Sequence, residues 1–281
     1  MTFTNTRESG TLALSKALKG NATDGEKEFT FRVKLENARF DTATQRDAYD
    51  VVIREANKAD VQTTVARDAN GEYVLTLKGG QTATLLDVLY GTTATVAEDD
   101  YTAEGYEAVS GQTAAVNSQT PDAAVAFTNE RYIGSIEITK ALAGTGSDKG
   151  YGKTFTFDVK LWNEHDLDLL NAQTSTMPSG VDGLTKTNEQ RDGHDVYAGT
   201  VSITMGADGQ PVSASITNIP AHTSYEIVER DYTDDGYTTQ TPQNASGLID
   251  VVNEAGREEA MTFTNTRESG TLALSKALKG N

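Results

Sequence analysis

There is no cysteine in the 281 residues, so neither a disulfide framework nor a thiolate metal site is available. Histidine occurs three times, at 165, 194 and 222, too sparsely to suggest a metal centre. Basic residues are scarce, 24 against 41 acidic ones, and the formal charge is −17. Nucleic acid and anionic membranes both need a basic face, so neither is an expected partner. No apolar run is long enough for a membrane-spanning helix, and Met1-Thr-Phe-Thr lacks the basic start and apolar core of a signal peptide. There is no Ser-His-Asp arrangement and no phosphate-cradling glycine loop, so turnover catalysis is not expected, and neither is a cofactor. The acidic runs Glu98–Asp100 and 231–235 lack EF-hand spacing and read as solvated turns.

What the chain does have is a phrase used three times. It runs Phe3-Thr-Asn5 to Lys16, returns as Phe127-Thr-Asn129 to Lys140, and returns letter for letter as Phe263-Thr-Asn265 to Lys276. Residues 261–281 repeat residues 1–21, a period of 260, as expected of an excerpt from a longer tandem array. Inside the period, Phe29-Thr-Phe31-Arg-Val33-Lys-Leu35 matches Phe155-Thr-Phe157-Asp-Val159-Lys-Leu161, and Glu98 to Gly105-Tyr106 matches Glu229 to Gly236-Tyr237. Two diverged copies of one domain are therefore expected, at 10–133 and 134–270. Residues 1–9 would be the last strand of a preceding repeat, and 271–281 the first strand of a following one.

The dominant pattern has period two, as in half-buried strands. Asn70-Gly71 and Asp208-Gly209 suggest two-residue hairpins, the first between 61–67 and 72–77, the second between 199–205 and 211–217. The five prolines fall between strand-like runs. The fold class expected is all-β, with a β-sandwich in each domain. Residues 41–60 are ambiguous between strand and helical turn. Residues 162–196 read as a polar surface excursion with little regular structure.

Strict alternation assigns directions. Leu12 and Leu14 inward put Lys16 inward, and Ile136 and Ile138 do the same for Lys140. Val125 and Phe127 carry Asn129 inward, and Met261 and Phe263 carry Asn265. Val96 implies Glu98, and Ile227 implies Glu229. Each domain thus aims a Lys, an Asn and a carboxyl group into its core from three strands. One reading is a buried Lys–Glu ion pair with a hydrogen-bonded Asn, an arrangement costly in stability. The other is an intramolecular isopeptide bond. Burial favours a neutral, nucleophilic amine and a protonated carboxyl, and contact in a folded core supplies the encounter.

This pattern resembles the isopeptide-bonded β-sandwich domains of Gram-positive surface proteins, the Cna B-type and pilin-like family, over essentially the whole chain. The resemblance implies immunoglobulin-like sandwiches in tandem, as an elongated rod. It implies Lys16–Asn129 and Lys140–Asn265 cross-links, with Glu98 and Glu229 catalysing a single turnover. Asn5 and Lys276 would then be unpaired in this stretch. It further implies a pilin-like fibre or adhesin stalk, extracellular and attached to the cell wall. Its partners would be neighbouring repeats of the same chain, and a host ligand through other domains. One departure is that no Leu-Pro-x-Thr-Gly sorting motif occurs. A ligand-binding adhesin surface on 162–196, with Trp162, His165, His194 and Tyr197, is the alternative. The plainer view of that stretch is a solvated loop whose Trp packs on the sandwich.

Overall fold

A computed structural model describes residues 8–37, 46–171, 177–252 and 255–276. The chain divides into two compact units, Met1–Tyr132 and Ile133–Asn281, and the described residues are strands joined by turns, loops and short 3-10 segments.

The first unit runs β1 (Ser9–Lys19), β2 (Glu28–Asn37), β3 (Ala48–Glu55), β4 (Val61–Ala66), β5 (Glu72–Lys78), β6 (Gln81–Leu89), β7 (Thr92–Glu98), β8 (Gln112–Val116) and β9 (Asp122–Glu130). One sheet has the order β4-β3-β6-β1-β9 and the other β5-β2-β7-β8. Alternation along each strand decides the core. Leu12 and Leu14 from β1 and Phe127 from β9 share one buried cluster with Phe29, Phe31 and Val33 from β2 and Val96 from β7.

The second unit runs β10 (Ile133–Ala143), β11 (Thr154–Asn163), β12 (Asp182–Arg191), β13 (His194–Thr204), β14 (Val212–Pro220), β15 (Thr223–Glu229), β16 (Thr238–Gln240), β17 (Ser246–Ile249), β18 (Val251–Val252), β19 (Ala255–Gly256) and β20 (Glu258–Thr266). Its sheets are β14-β10-β20-β16 and β12-β13-β11-β15-β17, with β18-β19 a small ribbon. Ile136, Ile138, Phe155, Phe157, Val159, Ile227, Met261 and Phe263 repeat the core of the first unit.

The first and last strands of each unit lie side by side and parallel. β1 pairs with β9 from Thr11↔Asp122 to Lys19↔Glu130, and β10 pairs with β20 from Ser135↔Glu258 to Ala143↔Thr266. A parallel pair needs a crossover connection, and here the rest of the unit serves as one. The glycine of the repeated phrase allows this closeness. A Cβ at Gly10 would stand 1.9 Å from the Pro121 carbonyl oxygen, and one at Gly134 would stand 2.1 Å from that of Arg257.

Two local expectations need correction, and one ambiguity is resolved. The Asn70-Gly71 and Asp208-Gly209 turns do not pair the strands that flank them, and the first closes only a single antiparallel bridge, Arg67↔Tyr73. β4 and β5 lie in different sheets, as do β13 and β14, so each turn carries the chain across the sandwich edge. The Asp68 carboxylate holds the first of them, accepting from the backbone N–H groups of Asn70 and Glu72. Within 41–60, the described residues from Ala48 to Glu55 are strand. Within 162–196, Asp182–Arg191 is a strand on the sheet edge, paired with β13. It was hard to read because an edge strand with little burial carries no apolar alternation. Trp162 and Tyr197 are 9% and 3% exposed, so both rings pack on the sandwich.

Residues 269–276 have the same sequence as 9–16 but carry no regular structure. Leu272 and Leu274 are 85% and 88% exposed, whereas Leu12 and Leu14 are 0% exposed. Lys276 is exposed as well. Asn5 lies outside the described residues.

Candidate functional site

In the first unit, β1 brings Lys16, β7 brings Glu98 and β9 brings Asn129 to one point in the core. The Lys16 ammonium is 2.8 Å from Glu98 Oε1, and Asn129 Nδ2 donates to the same oxygen at 2.8 Å. The side chains of Lys16 and Glu98 are 0% and 1% exposed, and Asn129 is buried. Lys16 sits opposite Phe127 in the parallel register and Asn129 sits opposite Leu18. The two polar residues are therefore diagonal neighbours on the same face.

The second unit repeats the arrangement. Lys140 Nζ lies 3.1 Å from Glu229 Oε1 and 3.3 Å from Oε2. It also donates to the Phe263 carbonyl at 3.4 Å. Asn265 Nδ2 donates to Glu229 Oε1 at 2.9 Å. Lys140 and Asn265 are fully buried, and the register again places Asn265 two residues beyond the partner of Lys140.

An aromatic floor dehydrates each amine. Lys16 Nζ stands 4.0 Å from the centre of the Phe29 ring, and Lys140 Nζ stands 4.7 Å from that of Phe155. Tyr101 and Tyr106 pack edge-on against Phe29, and Tyr232 and Tyr237 against Phe155. This accounts for the shared Glu-x-x-Tyr-x-x-x-Gly-Tyr segment. Its Glu enters the site, its first Tyr accepts the N–H of Thr30 or Thr156, and its Gly closes a 3-10 turn. Gly105 and Gly236 have φ of 84° and 82°, a left-handed conformation that a side chain would strain.

Electrostatically, burial dominates. Desolvation lowers the Lys16 pKa, and the hydrogen bond and charge of Glu98 only partly oppose it. Desolvation brings Lys140 down to about 8 against the opposing pull of Glu229. The same burial raises Glu229, with Lys140, Asn265 and Thr239 acting the other way. Both sites therefore favour a neutral amine more than water does. Some polar atoms are left over. Asn129 Oδ1, Asn265 Oδ1 and Glu98 Oε2 are buried without a hydrogen-bond partner, which is costly in a core unless chemistry uses them.

All six inward-facing residues read from alternation thus meet in two clusters of three. Phe29 and Phe155 were legible as strand residues but not as the floor of a site. Thr239, opposite Asn265 where β16 pairs with β20, carried no signal, because the first unit has Ala108 at that place in the motif. The acidic runs fold as turns, with Asp100 and Asp231 accepting the N–H groups of Thr102 and Thr233.

A stretch of 146 residues is 30% identical to a protein named Pilin from Streptococcus pyogenes serotype M1, covering 46% of this chain and 41% of that relative. The chain thus spans less than half the length of the curated relative it matches. Among solved structures, the major pilin from Streptococcus pyogenes aligns over 93% of this chain and 100% of its own, with 18% identity and a TM-score of 0.41. The T3.2 major pilin of the same species aligns over 92% and 98%, with 15% identity and a TM-score of 0.39. A family model described as "Domain of unknown function (DUF7601)" matches twice, over residues 10–131 and 134–267. With one match in each unit and almost all of the chain covered, the protein belongs to the DUF7601 family.

Proposed function

We propose that the chain is a structural repeat of a pilin-like surface fibre, each unit locked by an intramolecular Lys–Asn isopeptide bond, Lys16 to Asn129 and Lys140 to Asn265. The observation that carries this reading is the buried Lys–Glu–Asn cluster that occurs in both units, with Lys on the first strand and Asn on the adjacent last strand.

The chemistry uses only groups already in contact. A proton passes from the Lys140 ammonium to Glu229, leaving an amine and a carboxylic acid. The acid's O–H is the donor that Asn265 Oδ1 lacks, once the amide turns to face it. Lys140 Nζ then forms a bond to the Asn265 side-chain carbonyl carbon. The amine's remaining excess proton moves through Glu229 to the departing nitrogen, the original C–N bond breaks, and ammonia leaves. Glu229 is left as the carboxylic acid, holding the proton it took from the Lys140 ammonium, and returns to the carboxylate when that proton passes to the released ammonia. Glu98 acts in the same way between Lys16 and Asn129. Proximity supplies most of the rate, since the reactants are preassembled by folding.

The similarity to a pilin over part of its length supports a fibre role at a bacterial cell surface, with neighbouring repeats of the same chain as partners. The adhesin alternative gains nothing from the 162–196 stretch, because Trp162 and Tyr197 are buried, with Arg191 stacked over the Trp162 ring.

Intact mass of the denatured chain tests the proposal. Two bonds make it lighter than its sequence by two ammonia molecules, and Glu98→Ala or Glu229→Ala restores one each. A parent chain with its full sequence mass would leave the buried ion pair as the correct reading.

A further inference from the structure

The first cluster has a hollow beside it. In the second unit, the chain that leaves the Gly236-Tyr237 pair enters β16, which pairs with β20 and sets Thr239 opposite Asn265. In the first unit, the Glu107 N–H still donates to the Glu130 carbonyl at 2.9 Å, but residues 107–111 form no strand. A cavity of about 270 Å³ opens there, with Glu98, Asn129 and Val109 in its wall, ample for an ion the size of a water molecule. Two atoms of its lining residues lack partners. Glu98 Oε2 and Asn129 Oδ1, both acceptors, are buried without a hydrogen bond. The surroundings are negative. Asp99, Asp100 and Glu107 also line the cavity, and among the described residues no basic side chain does. Asp99 is held by Arg32 at 2.8 Å, and Asp100 accepts the Thr102 N–H. A ligand suited to this cavity is small, cationic and rich in N–H donors.

Cross-linking generates such a ligand. Lys16 enters the reaction as an ammonium with three N–H bonds, and the Asn129 amide brings two. The isopeptide keeps one, so the released nitrogen carries four once it has taken the proton from the Glu98 carboxylic acid. The positive charge is conserved and moves from the Lys16 nitrogen to the one that Asn129 gives up. Glu98, whose side chain is 1% exposed, would otherwise be a carboxylate deep in the core with no cation beside it, a costly state. We propose that the cavity is an ammonium site: the ion formed from the Asn129 amide nitrogen is held there and takes over from Lys16 as the cation facing Glu98. This rests on the cross-linking read above and goes beyond it in giving the first unit a ligand. The ion's N–H groups donate to Glu98 Oε2 and to the Asn129 carbonyl, and a charge-assisted bond of this kind is stronger than one from water. It forms only after the isopeptide, so it does not compete with the acid form of Glu98 that the reaction uses.

The test is a salt titration of the full-length, isotope-labelled chain, its bonds first verified by intact mass and its buffer exchanged until free of ammonium. Ammonium chloride, potassium chloride and tetramethylammonium chloride are added at matched ionic strength, and backbone amide resonances are followed by NMR. Potassium is close to ammonium in size and equal in charge but has no N–H, and tetramethylammonium shares the charge alone. Ammonium shifts the signals of residues 98–102 and 107–109 along a saturating curve, and the other two salts do not. Glu98→Gln removes the carboxylate and leaves Lys16 charged, so the ammonium response is lost. Should that variant fail to fold, the three-salt comparison on the parent decides alone. A saturating response to potassium over the same concentrations overturns the assignment to an N–H donor. No response to ammonium, or one shared by all three salts, overturns the site and leaves the cross-links standing, with Glu98 keeping its proton and ammonia departing. A parent chain with its full sequence mass removes the cross-linking itself, and this proposal with it.

Discussion

Replacing Asn265 with alanine removes the acceptor of the proposed second cross-link and leaves Lys140 and Glu229 facing each other in the core. The cost has two parts. Lys140 lies 123 positions from Phe263, and Asn265 is two residues further on, so the bond closes a loop of more than a hundred residues. By the loop-closure relation used for disulfides, a cross-link of that span removes about 5 kcal/mol of unfolded-chain entropy. Alanine also deprives Glu229 Oε1 of the amide donor at 2.9 Å, and a buried acceptor losing its partner costs about 1–3 kcal/mol. Together the loss is roughly 7 kcal/mol, which for a unit of this size lowers the melting temperature by about 20 °C. Differential scanning calorimetry reads it directly, with each unit melting in its own transition. Asn129→Ala in the first unit identifies which transition belongs to which. If the parent carries both bonds by mass and Asn265→Ala still melts within about 5 °C of it, the loop-entropy reasoning is wrong.

The same variant has a distinctive dependence on pH. In Asn265→Ala the Lys140 amine is free, with its pKa held near 8 in the fold against 10.5 when unfolded. Between those values the unfolded chain binds more protons, so stability rises with pH. Glu229 has the opposite sign. Its pKa is raised above 4.5 by burial, so the folded state binds more protons and stability falls as pH climbs from about 4.5 through the raised value. Urea midpoints therefore pass through a trough and recover above about pH 8. The parent, with Lys140 converted to an amide, shows no recovery, and a variant without one contradicts the assignment. A second comparison uses the repeated octapeptide. Leu14→Ala, at a fully buried leucine of β1, costs about 2–5 kcal/mol in urea unfolding of the first unit, whereas Leu274→Ala, at an 88% exposed leucine, stays within about 0.5 kcal/mol of the parent. Equal effects at the two sites would mean that 269–276 packs somewhere in solution.

The site was more legible than the fold's edges. Lys16, Glu98 and Asn129, with Lys140, Glu229 and Asn265, could be read because each ends an apolar alternation, and a strand fixes direction two residues at a time. β12 could not, because an edge strand rich in Thr, Asn, Gln and charge is indistinguishable from a polar loop until β13 is beside it. The Asn70-Gly71 turn misled for a related reason. Local sequence specifies that the chain turns, with Gly71 at φ 83°, but not which sheet receives it. The octapeptide is the sharpest case. Ser9–Lys16 is strand between β6 and β9, and the same letters at 269–276 have no strand beside them and no regular structure. Strand formation here is a property of the neighbours as much as of the sequence. Thr239 belongs to the same class, since only the pairing of β16 with β20 sets it opposite Asn265.

The parallel pairing of first and last strands gives the proposed bond its mechanical sense. Tension applied through the chain draws the start of β1 and the end of β9 in opposite directions, loading their register from Thr11↔Asp122 to Lys19↔Glu130 in shear. Backbone hydrogen bonds resist this together, but each contributes only about 1 kcal/mol net, and once they fail the whole unit can be drawn out at roughly 3.5 Å per residue. A bond from Lys16 to Asn129 changes the path. Load passes from β1 into β9 through the cross-link, and residues 17–128 carry none of it. In the second unit the bond from Lys140 to Asn265 does the same for residues 141–264. Between the two bonds lie only residues 130–139, of which 131 and 132 alone fall between β9 and β10. The Lys and Asn thus stand on the one pair of strands where a covalent bond shields nearly everything between them. A buried ion pair kept for stability alone would have no reason to join the first strand to the last.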